Sequence, residues 1–175
     1  MNIGVYAIGG NALSPPQSDN TPSPSHQHIL SNVIDDILWL RNEGYNVVVT
    51  HGNGPQVGSL MMEASESEQK PLHEWVAVTQ EMIGHEIAQP LKAELMLQSP
   101  EPSSIDVIIV ETHVLVDEKD PSFEHPTKPI GPILSAADVG AFDWDIANTI
   151  HGPRRVVASP PPLRIIEIAH IRRAV

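Results

Sequence analysis

The 175 residues carry 10 Lys+Arg against 22 Asp+Glu, a formal net charge of −12. That balance argues against electrostatic binding to nucleic acid or an anionic membrane, and it leaves few cations to meet an anionic ligand. Cysteine is absent, which excludes disulfides, thiolate metal sites and cysteine nucleophiles. The length suits a single domain over residues 1–175. The apolar start lacks a basic n-region, and no apolar run nears the roughly 18–20 residues that span a bilayer, so a cytoplasmic chain away from membranes is expected.

Ile3–Ile8 is a short, partly β-branched apolar run closed by Gly9, Gly10 and Asn11, the pattern of a buried strand entering a tight turn. Ser14–Ser25 holds Pro15, Pro16, Pro22 and Pro24 among small polar residues and reads as a loop. His28–Asn42 sets Ile29, Val33, Ile37 and Leu40 at helical spacing, with Gly44 suited to end the helix. Tyr45–Thr50 is a second strand, followed at once by His51, Gly52, Asn53 and Gly54. Strand, glycine turn, helix, strand and glycine turn form a βαβ signature, which predicts an α/β fold with a parallel sheet.

Ser65–Pro71 is polar and reads as a loop. The next helix, His73–Leu97, is expected to bury Trp75, Val78, Met82, Ile87 and Leu91, with Pro90 kinking or splitting it near Ile87. Ile105–Val110 reads as a third buried strand, continued by extended chain over Thr112–Val116. Asp117–Pro162 is proline-rich and predicts a small excursion from the sheet; Leu163–Val175 predicts a last helix.

Strands of a parallel sheet end on one edge, so the two glycine turns are expected to be neighbours. Glycine admits close backbone approach, and its N–H groups can form an anion-binding nest. Neither turn is a G-x-G-x-x-G or Walker A sequence. No histidine pair has the i, i+4 spacing of a zinc site, so no metal centre is expected. His51 either braces its loop or bonds a ligand. Lys128 is the sharpest side-chain candidate, and Arg154 and Arg155 either attract phosphate or pair with acidic groups.

Five segments carry a family resemblance: AIGGNAL (Ala7–Leu13), VVVTHGNGPQVG (Val47–Gly58), VAVTQEMIGH (Val76–His85), PTKPIGP (Pro126–Pro132) and RRVVASPPP (Arg154–Pro162). In that order they resemble carbamate kinases. The resemblance implies the amino acid kinase fold, a three-layer α/β/α sandwich with a mainly parallel sheet. It further implies a protruding, lid-like subdomain over 117–162 and a chain truncated before the nucleotide lobe. The implied reaction moves a phosphoryl group between ATP and carbamate, or from carbamoyl phosphate to ADP, with Mg expected alongside the nucleotide.

By this resemblance Gly9, Gly10 and Asn11 lie beside the transferring phosphate, and Gly52 and Asn53, in the turn His51–Gly54, hold the carbamate end. Lys128 neutralises phosphate charge. The implied partners are carbamate or carbamoyl phosphate, and a second copy or another chain covering the open sheet edge. Pro153, His85 and Pro90 depart from the family pattern. The other reading is a non-catalytic remnant that binds a small anion or acts as an interaction module.

Overall fold

In a computed structural model that describes residues 2–13, 25–98 and 107–175, β1 (Asn2–Ile8) and β2 (Tyr45–His51) pair in parallel, from Asn2 opposite Tyr45 to Ile8 opposite His51. Parallel strands need a crossover, and α2 (His26–Asn42) supplies it. Its first turn is capped by Ser25, whose Oγ accepts from the His28 N–H at 3.2 Å, and its end is turned by Gly44 at φ 86°. The loop expected over Ser14–Ser25 lies, except for Ser25, outside the described residues.

The described chain divides into two compact units. Unit 1 comprises Met1–Asn53, Ala77–Glu111 and Ala169–Val175; unit 2 comprises Gly54–Val76 and Thr112–Ile168, which contains the whole of 117–162.

In unit 1, Ile8, Val33, Ile34, Ile37 and Leu38 pack with Ile83, Ile87, Leu91 and Leu95 of α4 (Leu72–Gln98), and Tyr6, Val47 and Val49 adjoin them. Each such aliphatic side chain contributes about 1.5–3 kcal/mol on full burial. These helices cover one face of the strand pair; on the other, Ile3 and Val5 are exposed. The Tyr6 hydroxyl donates to Asp36 at 2.6 Å, tying β1 to α2, and this bond with the nearby carboxylate charge pushes the phenol up to about 12.

Three expectations are corrected here. The helix does not split at Pro90: α4 runs unbroken, because the residues on both sides, Ile87, Ala88, Leu91 and Leu95, are buried and offset the lost backbone donor. Its buried face is also rotated, with Thr79 and Ile83 inside while Val78 and Met82 are exposed. The expected third strand is likewise not found in its described part: residues 107–110 join no sheet, and Ile108 and Ile109 are exposed. A strand needs a laddered neighbour, and the parallel sheet holds only β1 and β2 among the described residues.

Unit 2 contains α3 (Gly54–Glu63) and an antiparallel sheet ordered β4 (Lys128–Ile130), β6 (Gly152–Val157), β5 (Ile146–Thr149). Val57 and Met61 of α3 pack on Ile130. The approach is so tight that a Cβ on Gly58 would fall 2.0 Å from Gly131 Cα. Gly131 donates its N–H to the Gly54 carbonyl at 3.0 Å, adopts φ 68°, and accepts from Arg154 Nη2.

Arg155 lies over the Trp144 ring at 4.4 Å, and Trp144 stacks on Phe142. Burial pulls the Arg155 pKa down from its usual value, with Asp145 opposing. Both arginines thus serve the packing of this sheet, Arg154 through a carbonyl and Arg155 chiefly through a ring.

The predicted final helix is shorter than 163–175. Its first part is β7 (Arg164–Ile165), antiparallel to β3 (Val114–Leu115), and α5 spans only Ile168–Ala174. Leu163 and Ile166 spend their N–H groups on the carbonyls of Leu115 and His113, and the Glu167 carboxylate accepts from the His113 N–H at 2.7 Å. Those bonds are incompatible with a helical start. No described helix is long and apolar enough to cross a membrane.

Gly58→Ala is expected to destabilise unit 2 by more than about 3 kcal/mol, since the new methyl meets backbone that cannot rotate away. Gly140→Ala, where a Cβ meets nothing within 4 Å, is the control. Urea unfolding of both variants checks this, and equal midpoints would refute the contact.

Candidate functional site

Ile8 and His51 are the last ladder partners, so the residues after them leave the sheet side by side. Gly9 starts a tight turn whose carbonyl accepts from the Ala12 N–H at 2.9 Å, and the short helix α1 (Gly10–Leu13) follows. Gly52 extends the ladder by one bond, its N–H donating to the Ile8 carbonyl at 2.9 Å. A Cβ on Gly52 would lie 2.9 Å from Gly10 N and 3.5 Å from Gly10 Cα. The two turns therefore touch backbone to backbone, and glycine at 52 is a steric requirement.

Gly9 is different. It is exposed, its φ is not positive, and a Cβ there would meet nothing within 4 Å. The fold of unit 1 does not require glycine at this position.

Asn53 follows Gly52, and its Nδ2 donates to Thr79 Oγ1 at 2.9 Å. Thr79 is 0% exposed and lies on the buried face of α4. Sequence reasoning passed over this residue. The available signal was a hydroxyl on a row of i+4 steps, Thr79, Ile83, Ile87, Leu91 and Leu95, where every other member is aliphatic.

The His51 Nδ1 is buried without a hydrogen bond. Burial lowers the imidazole pKa below its ordinary 6.5, opposed in part by the Gly52 backbone, so His51 is neutral at pH 7. A neutral ring adds no charge to an anion site. It lines, with Val47, Val49, Ile87 and Leu91, a cleft of about 500 Å³ formed by β2, α2, α4 and residues 107–110. Its lining mixes aliphatic side chains with Arg41, Tyr45 and Asn46, and the glycines of the two turns are not among the lining residues.

His26, at the start of α2, ties the first turn down. Its Nδ1 is 2.9 Å from the Leu13 carbonyl and its Nε2 is 3.3 Å from Glu86 Oε2 on α4.

Of the candidate residues, Gly9, Gly10, Asn11, His51, Gly52 and Asn53 belong to unit 1, whereas Gly54 and Lys128 belong to unit 2. Lys128 is exposed on β4, opposite Val157 of β6, and the Gly58–Gly131 contact lies directly after its strand. Gly54 opens α3 and gives its carbonyl to Gly131. Among the described residues no group of three or more His, Asp or Glu side chains is placed to hold a metal ion.

Residues 2–117 match the model of the amino acid kinase family. A carbamate kinase of Halobacterium salinarum is 34% identical over 183 aligned residues, which cover 100% of this chain and 56% of that protein. Carbamate kinase from Giardia lamblia bound to citric acid is 32% identical with a TM-score of 0.77, covering 97% of this chain and 57% of the other. The same enzyme bound to AMP-PNP gives 31% and 0.72, over 97% and 56%. The chain thus spans about half the length of the relatives it matches.

The lowered His51 pKa fixes the sign of a pH effect. In the window between its folded-state pKa and 6.5 the unfolded chain binds more protons. Stability due to this group is therefore full above 6.5 and falls as pH drops through that window. His51→Gln is expected to flatten this part of the profile in chemical unfolding between pH 5 and 8. An unchanged slope would show that the ring is not held neutral.

Proposed function

The chain belongs to the amino acid kinase family, and on that premise we propose that it carries the carbamate and phosphate side of a carbamate kinase-type phosphoryl-transfer site. Its ligand is carbamate or carbamoyl phosphate, with ATP or ADP as the second substrate. The observation that carries this reading is Gly9: glycine stands where the fold leaves room for a side chain, as expected where a ligand approaches the backbone closely.

In this reading the N–H groups of Gly9, Gly10 and Asn11 meet the phosphoryl oxygens. The Gly52 N–H is taken by Ile8, so Gly52 sets the distance between the turns and leaves ligand bonding to Asn53. Lys128 adds the fixed positive charge that backbone dipoles lack. Phosphoryl transfer asks the protein mainly for in-line positioning and for stabilisation of charge on the moving group, and aligned N–H groups with one lysine contribute to both.

The relatives support the ligand classes. One Giardia carbamate kinase structure holds citric acid, a small polyanion, and another holds AMP-PNP, a nucleotide. The turns of unit 1 contain no carboxylate, so these residues do not suit a magnesium ion.

Gly9→Ala should weaken carbamoyl phosphate binding by about tenfold, roughly 1.4 kcal/mol, while leaving the unfolding midpoint unchanged. Calorimetric titration beside urea unfolding separates the two effects; unaltered affinity would remove the first turn from the site. Lys128→Ala should cost about 1–3 kcal/mol of binding, the scale of a charge-assisted hydrogen bond, again without loss of stability. The same titration checks it, and wild-type affinity would exclude Lys128.

A further inference from the structure

Thr79 is the one fully buried polar residue among the described core positions, at 0% exposure. It occupies a row of α4 whose next members, Ile83, Ile87, Leu91 and Leu95, are all buried aliphatics. Valine has almost the same shape and would suit such a row without the cost of burying a hydroxyl. The oxygen is therefore there for a bond. Thr79 Oγ1 accepts from Asn53 Nδ2 at 2.9 Å, across 26 residues of sequence.

This bond ties a planar amide to α4. With Nδ2 turned to α4, Asn53 Oδ1 is directed away from Thr79, because the two atoms diverge from one carbon. A rotated amide would set oxygen against oxygen unless the threonine hydroxyl turned to donate. Asn53 also adjoins Gly52, whose position is fixed by contact with Gly10. Main chain and side chain of the second turn are thus each held by a separate constraint.

We infer that Thr79 is a positioning residue for the ligand-binding turn: it acts through Asn53, fixing the amide that meets carbamate or carbamoyl phosphate. This inference rests on the function proposed above. Thr79 itself touches no substrate.

The two parts of the threonine side chain give the test. Thr79→Val keeps the packing and removes the oxygen; Thr79→Ser keeps the oxygen and removes a methyl group. For the 175-residue chain, carbamoyl phosphate affinity is measured by calorimetric titration and stability by urea unfolding. Thr79→Val is expected to bind roughly three- to tenfold more weakly, the loss of one hydrogen bond, whereas Thr79→Ser binds like wild type although its midpoint falls. Affinity then follows the oxygen and stability follows the methyl group.

If Thr79→Val does not fold, Thr79→Ala against Thr79→Ser isolates the same oxygen. Wild-type binding with equal affinity in the variants with and without the oxygen overturns the inference alone. Absence of binding by wild type overturns the proposed function, and the inference with it.

Discussion

The close approach of Gly52 to Gly10 is the constraint on which the site depends. Two parallel strands end together, and the chain leaving one must pass within van der Waals distance of the chain leaving the other. Only a residue without Cβ allows this. The ladder bond from the Gly52 N–H to the Ile8 carbonyl then locks the approach. Around it, His26 fastens the end of the first turn to α4, and Thr79 fastens the side chain that follows the second. Turns that would be mobile in isolation become a fixed set of backbone groups.

Unit 2 uses the same device for a different end. Gly58 of the HGNGPQVG segment meets Gly131 of the PTKPIGP segment, so the two most distinctive strings in the chain are brought together by one backbone contact. Ile130 is buried against α3, and Lys128, two residues earlier on the same strand, faces solvent. A proline-rich segment with few regular elements gains a defined strand because glycine lets it lie on a helix. The basic pair is absorbed into holding that strand and its neighbour, Arg154 on the Gly131 carbonyl and Arg155 on Trp144. Lys128 carries its charge outward, with no arginine of the pair competing for that role.

Much of this was legible in the sequence, and the failures have physical causes. β1, α2 and β2 follow from apolar runs of the right period, broken by glycine where the backbone turns. The five segments pointed to the family. The phase of α4 was not legible, because Val78 and Met82 are as apolar as the buried Ile83; periodicity over a long helix tolerates a shift of one position. Thr79 was missed for the opposite reason, since a hydroxyl on a helix usually faces water. β7 was hidden because it pairs with a segment some fifty residues earlier, through the N–H groups of Leu163 and Ile166 that flank it, which no local pattern records. At 107–110 an apolar run predicted a strand, but a strand exists only where a neighbour ladders with it.

The net charge of −12 set the chemical problem at the outset. An acidic chain with few lysines binds a phosphate best through uncharged backbone donors, and the function proposed above assigns that part to the first turn. Titration of the isotope-labelled 175-residue chain with carbamoyl phosphate, followed by its amide resonances, tests this most directly. Saturable shifts are expected at Gly9, Gly10 and Asn11, with Gly140 unmoved. No shift at Gly9 and Gly10 at saturating ligand would contradict it.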